Sequence, residues 1–425
     1  MSQKIGIKGK AARNLDKAKA PPSPTFDPSQ LASMDAFLGE LRAKSDRPIA
    51  IFLGAGASKV FGYPITRDLM LKIFQGLAKG QILEKSAKGP GVMSQDPRAE
   101  LLDFLTALLP GERYSEEKVP MVTGVLSLLD FSLATGQSLL PGRTLDETRR
   151  ARQLLERAIL EVIPDHEWFS AAEEKRFEQF RKWLSSIKAR RPAGGLGIIT
   201  TNYDMVSDLA AMCVADVEGD FGTWSFVDVA RKVDFGFRWI GPDPEKEESF
   251  PRPEHPRVAL YKLHGSTNWL RCPLCENLYI NPHEPTAWLG AEVETFTDNQ
   301  CHCSDTRLEA QIVSPSFVRD MRGPNLIAVW KNALDLLREA DQWIVIGYSF
   351  PDEDVAIRAL FTRAFGSKSR RPRVTVVQRG DDARVNYESF FPGDSLRYLT
   401  GGLDLLLDRW KKLSVRGFSS PSNAR

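Results

Sequence analysis

Four of the five cysteines stand close together in the sequence, in a pattern that suits metal binding. Cys272 and Cys275 form a Cys-x-x-Cys pair, and Cys301 and Cys303 form a Cys-x-Cys pair after it. Four thiolates bind zinc tetrahedrally and leave no position open for a substrate. The spacing therefore predicts a structural zinc site rather than a disulfide framework. Two histidines are alternative ligands: His283 and His302.

A glycine turn is the first of several segments whose residues suit nucleotide binding. An apolar run ends in the sequence Gly54-Ala55-Gly56-Ala57-Ser58. Glycines allow a pyrophosphate to approach the backbone, and a following helix N-terminus favours anions. The turn lacks the third glycine and the later acid of the dehydrogenase fingerprint, and it is not a Walker motif. A purely structural glycine turn remains the alternative.

Two further apolar runs end in polar residues that could act on a bound ligand. Asn202 and Asp204 follow one run, and His264 follows another. An asparagine can orient a water or a ribose hydroxyl, and an aspartate can accept a hydrogen bond from an amide. A histidine can serve as a general base or polarise a hydroxyl. The alternatives are a helix cap for Asp204 and a hydrogen-bonded turn for His264.

Buried parallel strands are the elements that should position these residues. Five short apolar runs, each bounded by glycine or polar residues, alternate with amphipathic helical segments, which predicts an α/β fold with a parallel sheet. In such a sheet, ligands bind at the carboxyl ends of the strands. The fourth run ends at Gly347 and Ser349, and the fifth at Gln378. The runs lie in the segments RPIAIFLGAGAS, GLGIITTNYD, RVALYKLHGS, DQWIVIGYSF and RVTVVQRGDD.

The sequence also suggests how the domains are organised. Leucine-rich and highly charged helical patterns between the first two runs predict a helical insertion, and the cysteines mark a small zinc-binding module. The basic N-terminus and the polar C-terminus have too few apolar residues to fold. The predicted parts are a disordered tail at 1–33, a sheet domain at 34–68, 195–270 and 310–414, a helical insertion at 69–194, a zinc module at 271–309 and a flexible tail at 415–425.

Composition excludes several classes of protein. The 425 residues carry 57 Lys and Arg against 55 Asp and Glu, a net charge of +2, so nucleic-acid binding is not indicated. No apolar stretch is long enough to span a membrane. The N-terminus has no apolar core typical of a secretory signal, and clustered cysteines favour a reducing compartment, which predicts a cytoplasmic protein.

Taken together, these motifs resemble the sirtuin superfamily of NAD-consuming enzymes. The order is the same: a Gly-Ala-Gly-x-Ser turn, an Asn-x-Asp after a strand, a His-Gly pair and a Cys-x-x-Cys pair, with Cys272 eight positions after His264. The resemblance covers about 48–68, 195–275 and 310–380. It implies a Rossmann-like sheet that binds NAD.

The resemblance also implies a role for each site residue. Asn202 would hold the nicotinamide ribose and its attacking water, and His264 would act on a ribose hydroxyl. Asp204 would contact the carboxamide of nicotinamide. The remaining residues would line the phosphates, the ribose or the adenosine: Gly54, Ala55, Gly56, Ser58, Gly347, Ser349 and Gln378.

Several positions differ from sirtuin deacylases and are similar to divergent bacterial sirtuin-like proteins. The first motif continues as Gly62-Tyr63-Pro64-Ile65-Thr66-Arg67, without the usual Asp and Phe, and Thr201 precedes Asn202 where deacylases carry Gln. That bacterial group implies an NAD+ hydrolase, in some members acting in anti-phage defence, with an activating protein or phage trigger and a homo-oligomer as further expectations. The alternatives are an NAD-dependent protein lysine deacylase and a non-catalytic NAD or ADP-ribose sensor.

Overall fold

The structure is a computed structural model that describes residues 27–83, 96–109, 119–163, 170–219, 223–241, 248–285, 300–301, 303, 306–313, 323–367 and 371–415. Residues 1–26 and 416–425, which hold most of the two predicted tails, lie outside the described residues. The first helix begins at Pro28, because Asp27 caps it by accepting a hydrogen bond from the Ser29 backbone N–H and proline suits a first turn. This helix therefore occupies the last part of the predicted N-terminal tail.

The described residues form short strands and longer helices in alternation. The strands are β1 Ile49–Leu53, β2 Leu196–Thr200, β3 Val233–Asp234, β4 Trp239–Ile240, β5 Ser249–Phe250, β6 Val258–Lys262, β7 Gly265–Arg271, β8 Leu278–Ile280, β9 Gln300–Cys301, β10 Thr306–Arg307, β11 Glu309–Ile312, β12 Gln342–Ile346, β13 Arg373–Val377 and β14 Leu396–Leu399. The helices are α1 Pro28–Glu40, α2 Ala55–Ser58, α3 Thr66–Lys79, α4 Pro97–Leu108, α5 Val122–Thr135, α6 Leu145–Val162, α7 Ala171–Lys188, α8 Val206–Val214, α9 Phe226–Lys232, α10 Pro324–Glu339, α11 Val355–Gly366, α12 Arg384–Glu388 and α13 Gly402–Val415.

A seven-stranded parallel sheet is the centre of the molecule. Its order is β14-β13-β12-β1-β2-β6-β3, and each neighbouring pair is parallel. The five predicted apolar runs are β1, β2, β6, β12 and β13, and β1, β2, β6 and β12 are buried along their whole length. The predicted Rossmann-like parallel sheet is thus confirmed. Because the chain proceeds to opposite sides of β1, a topological switch point lies between β1 and β12, where open α/β sheets bind ligands.

The helical insertion has a hydrophobic core of its own. Leucines, isoleucines and phenylalanines of α3 to α6 pack against each other in a cluster separate from the core of the sheet. We call α3 to α6 the helical unit. Helix α7 falls within the predicted insertion, yet its buried side chains, among them Phe180 and Trp183, pack in the core of the sheet. The capping boxes that begin α6 and α7 explain why both helices start where their sequence pattern does.

A second, smaller sheet follows directly from the first. Its order is β11-β7-β8-β4-β5, with β7 antiparallel to both β8 and β11. Strand β7 begins at Gly265, only three positions after β6 ends at Lys262, so His264 lies in the turn between the two sheets. Among the described helices, none combines the length and hydropathy needed to cross a bilayer.

Candidate functional site

One cavity of about 480 Å³ lies at the carboxyl ends of β1, β2 and β12, at the switch point. Its volume falls within the range of small-molecule and cofactor sites. The helical unit forms the opposite wall. Six of the predicted site residues line this cavity: Ala55, Asn202, Asp204, His264, Gly347 and Ser349. The structure thus brings residues from four separate segments, each following a strand of the large sheet, to one place.

The glycines of the first turn pack against the loop after β12. The Gly56 N–H donates to the Gly347 carbonyl at 2.8 Å. A Cβ on Gly54 would lie 2.6 Å from the Tyr348 Cα, and a Cβ on Gly347 would lie 2.1 Å from the Ala57 nitrogen. Gly347 also has a φ of +64°, which disfavours other residues. Close packing of two loops therefore explains Gly54 and Gly56, neither of which lines the cavity.

Asn202 is held in a fixed orientation beneath this turn. Its Nδ2 donates to the Gly54 carbonyl at 3.0 Å and to the Ser58 Oγ at 2.9 Å, and its side chain is buried. Both protons of the amide are thereby used, so Oδ1 is the atom that remains to accept a hydrogen bond from a ligand or a water. Ser58 thus positions Asn202 instead of lining the cavity itself.

Asp204 is a buried carboxyl at the edge of the same cavity. Its Oδ1 accepts from the Val206 N–H at 3.0 Å, and the Ser58 hydroxyl donates to it. Burial raises the pKa of Asp204 above its usual value, although the Lys262 ammonium and the Ser58 hydrogen bond act in the opposite direction. Asp204 therefore lines the cavity and also bonds the first residue of α8. It does so from one position before the N-cap Met205, which makes no side-chain capping bond.

We predict that Asp204→Asn stabilises the protein at neutral pH. Since burial raises the folded pKa of Asp204, the folded state binds the proton more tightly than the unfolded chain, whose pKa is about 4. The folding free energy that this proton contributes is present below pH about 4 and is lost as the pH rises through the folded pKa. Thermal unfolding should show a higher midpoint for Asp204→Asn at pH 7 and no difference at low pH. A lower midpoint at pH 7 would contradict the prediction.

His264 lies in the turn between the two sheets and faces the cavity beside Tyr203. The two rings lie 6.4 Å apart between centroids. The backbone of His264 is fixed, because its carbonyl accepts from the Val313 N–H at 2.8 Å, and the Val313 carbonyl accepts from the Tyr203 hydroxyl at 2.6 Å. The turn also requires Gly265, since its φ is +77° and a Cβ there would lie 1.9 Å from the Gln311 carbonyl oxygen.

The loop after β12 is anchored by polar and aromatic contacts. Tyr348 donates its hydroxyl to Asp354 at 2.6 Å, and its carbonyl accepts from the Gln378 side chain and from the Tyr387 hydroxyl. Phe350 is fully buried with a φ of +52°, a strained conformation for a bulky residue, and it packs among other aromatic rings. Gln378 therefore supports the loop and does not line the cavity.

Several lining residues were not predicted from the sequence. Those of the helical unit and the segment before it are Tyr63, Pro64, Thr66, Leu69, Met121, Thr123, Gly124 and Ile163. Those of the sheet loops are Thr201, Tyr203, Tyr348, Pro351, Glu353 and Asp354. The acids of the segment PDED were a visible signal for the second group. The residues of the first group gave no such signal in the sequence, since their types are ordinary for an amphipathic helix.

We predict that Gly124→Leu blocks ligand binding without harming the fold. Gly124 lies in the first turn of α5 and lines the cavity, and a Cβ built on it meets no atom within 4 Å. Leucine also favours helix over glycine by about 0.8 kcal/mol. Calorimetry should show ADP-ribose binding weakened by at least about tenfold, a loss of about 1.4 kcal/mol. Gly39→Leu is the matched control, since Gly39 is an exposed helical glycine in α1 with equally open space. Equal affinity in both variants would contradict the prediction.

The four predicted cysteines come together at one end of the small sheet. Their sulfur atoms all lie within 4.8 Å of one another, with Sγ distances of 3.7 Å for Cys272–Cys303 and 3.4 Å for Cys275–Cys301. Tetrahedral zinc with Zn–S bonds of about 2.3 Å separates its sulfurs by about 3.8 Å, so this donor set fits the ion. The Leu274 and Cys275 N–H groups both donate to Cys272 Sγ at 3.4 Å, and such bonds orient metal ligands.

Of the two alternative histidine ligands, one has another partner. His283 makes a 2.8 Å hydrogen bond through Nε2 to the Trp224 carbonyl and stacks on Phe226, away from the cysteines. His302 lies outside the described residues. Among the residues that the structure describes, the cluster that could hold a metal consists of the four cysteines predicted from the sequence.

Comparisons with known proteins give a likeness only at the level of structure. No family model matches the chain, and no curated protein does. Similar solved structures include a Sir2 bound to acetylated peptide and a Sir2 with p53 peptide and NAD+, each with 14% identity and a TM-score of 0.39. In both cases the match covers 90% of this chain and 98% of the other.

Proposed function

We propose that the protein is an NAD+ hydrolase that releases nicotinamide and ADP-ribose. The observation that carries the proposal is the convergence of Asn202, Asp204 and His264 on one cavity at the switch point of a Rossmann-like sheet. The sirtuin-like order of the motifs around these residues supports NAD as the substrate. The resemblance to divergent bacterial sirtuin-like proteins suggests in addition a role in anti-phage defence.

The reaction needs a site that tolerates a cation and directs water at it. The bond between ribose C1′ and the nicotinamide nitrogen breaks, and its electron pair goes to that nitrogen. Water then bonds to C1′ and releases a proton, so NAD+ and water give nicotinamide, ADP-ribose and H⁺. The free Oδ1 of Asn202 is suited to accept a hydrogen bond from this water, and His264 to receive the proton.

The charge of the cavity supports this assignment. Asp204, Glu353 and Asp354 line it, while its described lining contains no lysine or arginine. Carboxyl groups in a partly enclosed site favour a developing positive charge, such as an oxocarbenium-like ribose. Asp354 is oriented by the Tyr348 hydroxyl, so at least one of these groups is preorganised.

The test is an assay of purified protein with NAD+, in which nicotinamide and ADP-ribose are quantified with and without an acyl-lysine peptide. A hydrolase releases both products without the peptide. Release only in its presence would replace the proposal with protein deacylation, the activity that the acetylated-peptide complexes of Sir2 suggest as an alternative. Tight ADP-ribose binding with no release in either case would favour the sensor.

The zinc site belongs to the same proposal as a structural element. The four cysteines would hold the ion with all four positions filled, so it would bind no substrate. The cysteines lie at the end of β7, the strand that begins at Gly265 next to His264, so the ion would hold the far end of that strand. The homo-oligomer, the activating trigger and the cytoplasmic location stay predictions from the sequence.

A further inference from the structure

A buried ion pair lies directly beneath the candidate site. Lys262, the last residue of β6, has a fully buried side chain, and its Nζ lies 2.5 Å from the Asp208 Oδ2 in the first turn of α8. Asp208 is also buried, and its Oδ1 has no hydrogen-bond partner among the described residues. Two charges are thus removed from water at this point, with one carboxylate oxygen left unsatisfied.

Lys262 also holds the backbone of the loop that carries the site residues. Its Nζ donates to the Asp204 carbonyl at 2.6 Å and lies 3.4 Å from the Tyr203 carbonyl. Thr267 donates to the same Tyr203 carbonyl through its N–H at 2.9 Å and its hydroxyl at 3.0 Å. Several hydrogen bonds therefore join the segment KLHGST (262–267), which contains His264, to the segment NYD (202–204), which contains Asn202 and Asp204.

Stability alone is a poor explanation for this arrangement. Replacing a buried ion pair by apolar residues of similar volume is often neutral or stabilising, since both charges must be desolvated. An apolar pair could not, however, donate to the two loop carbonyls. The specific contribution of Lys262 is therefore geometric, because an ammonium group with three donors can hold one carboxylate and two carbonyls at once.

We propose that Lys262, held by Asp208, is a positioning residue that fixes the Tyr203–Asp204 backbone and thereby the placement of Asn202 and Asp204 in the cavity. The catalytic part of this inference rests on the proposed NAD+ hydrolysis. The structural part, which concerns the order of the loop, stands independently of it. Lys262 itself does not line the cavity and touches no substrate in this assignment.

The experiment compares Lys262→Met with the double variant Lys262→Met/Asp208→Leu. The single variant leaves a carboxylate buried without its cation, so its unfolding midpoint should fall sharply. The double variant should recover most of that midpoint, while kcat for NAD+ hydrolysis stays 10- to 100-fold below wild type and KM changes little. Hydrogen exchange at the amides of residues 201–206 should be faster in the double variant, with β2 unchanged.

Lys188→Met is the matched control. Lys188 likewise donates to a carbonyl, that of Val214 at 2.5 Å, and to a carboxylate, that of Asp216 at 3.1 Å, but at the far end of α8. Its kcat and its exchange at 201–206 should equal those of wild type.

Two results would overturn the proposal: a double variant with wild-type kcat and loop exchange, or one that fails to fold. If wild type releases no nicotinamide, the proposed function fails, and exchange at 201–206 alone decides the positioning role. Faster exchange in the double variant then supports it, and unchanged exchange overturns it.

Discussion

Asn202→Ala is expected to lower kcat for NAD+ hydrolysis by about 10²- to 10⁴-fold, the range found when a group that acts on the reacting atoms is removed. The physical reason is the fixed orientation of the amide, whose Nδ2 is occupied by Gly54 and Ser58 so that Oδ1 remains for the water. His264→Ala should have an effect of similar size, because it removes the group assigned to receive the proton. Nicotinamide release under saturating NAD+ is the measurement.

Each of these variants has a control of the same residue type. Asn332→Ala removes an amide whose Nδ2 likewise donates two hydrogen bonds, here to the Gly236 and Ala328 carbonyls, but which lies on α10 outside the cavity lining. His283→Gln removes the partly buried hydrogen bond between the imidazole and the Trp224 carbonyl, and His283 likewise lies outside the cavity lining. Wild-type turnover in Asn202→Ala and His264→Ala, with both proteins folded, would contradict the site assignment.

The second large effect concerns the cysteine cluster. The purified protein should contain one zinc per chain, and Cys272→Ser or Cys301→Ser should lose it. Both sulfurs are buried, and loss of a structural metal is among the few changes that destabilise a protein by about 4 kcal/mol or more. Metal analysis and thermal unfolding are the measurements.

Cys213→Ser is the control for the cluster. Cys213 is a half-buried cysteine on α8 that packs against the core of the sheet, and it is absent from the group whose sulfurs lie together. It should retain zinc and lose only a small part of its stability. Full zinc content in Cys272→Ser would contradict the assignment of that residue as a ligand.

The sheet and its loops could be predicted from the sequence because buried parallel strands have sequences of consecutive apolar residues. The polar residues that follow them, such as Asn202 and His264, then meet at one edge by the geometry of the sheet alone. The two-residue strands β3, β4, β5, β9 and β10 were not predicted, since so few residues form no pattern. The division of the helical segment was also not visible, because α6 and α7 have the same kind of amphipathic sequence but pack in different cores.

The candidate site was predicted on one side only. The lining residues that the sequence predicts all follow strands of the large sheet, whereas Thr123 and Gly124 come from a helix whose docking depends on tertiary contacts. Gly54, Ser58 and Gln378 were named for a ligand but bind neighbouring loops. The sequence carried a signal for Lys262: a lysine at the end of a buried five-residue strand whose other members are apolar or aromatic is a charge that must have a buried partner.

The separate cores on the two sides of the cavity have a consequence for how the protein loses activity. A region with its own small core can open without the rest of the fold, at a lower free energy than global unfolding. Low concentrations of urea should therefore unfold the helical unit first and abolish ligand binding in the cavity. The amides of the parallel strands should still be protected from hydrogen exchange at those concentrations. Function would then report on the weaker of two cooperative regions.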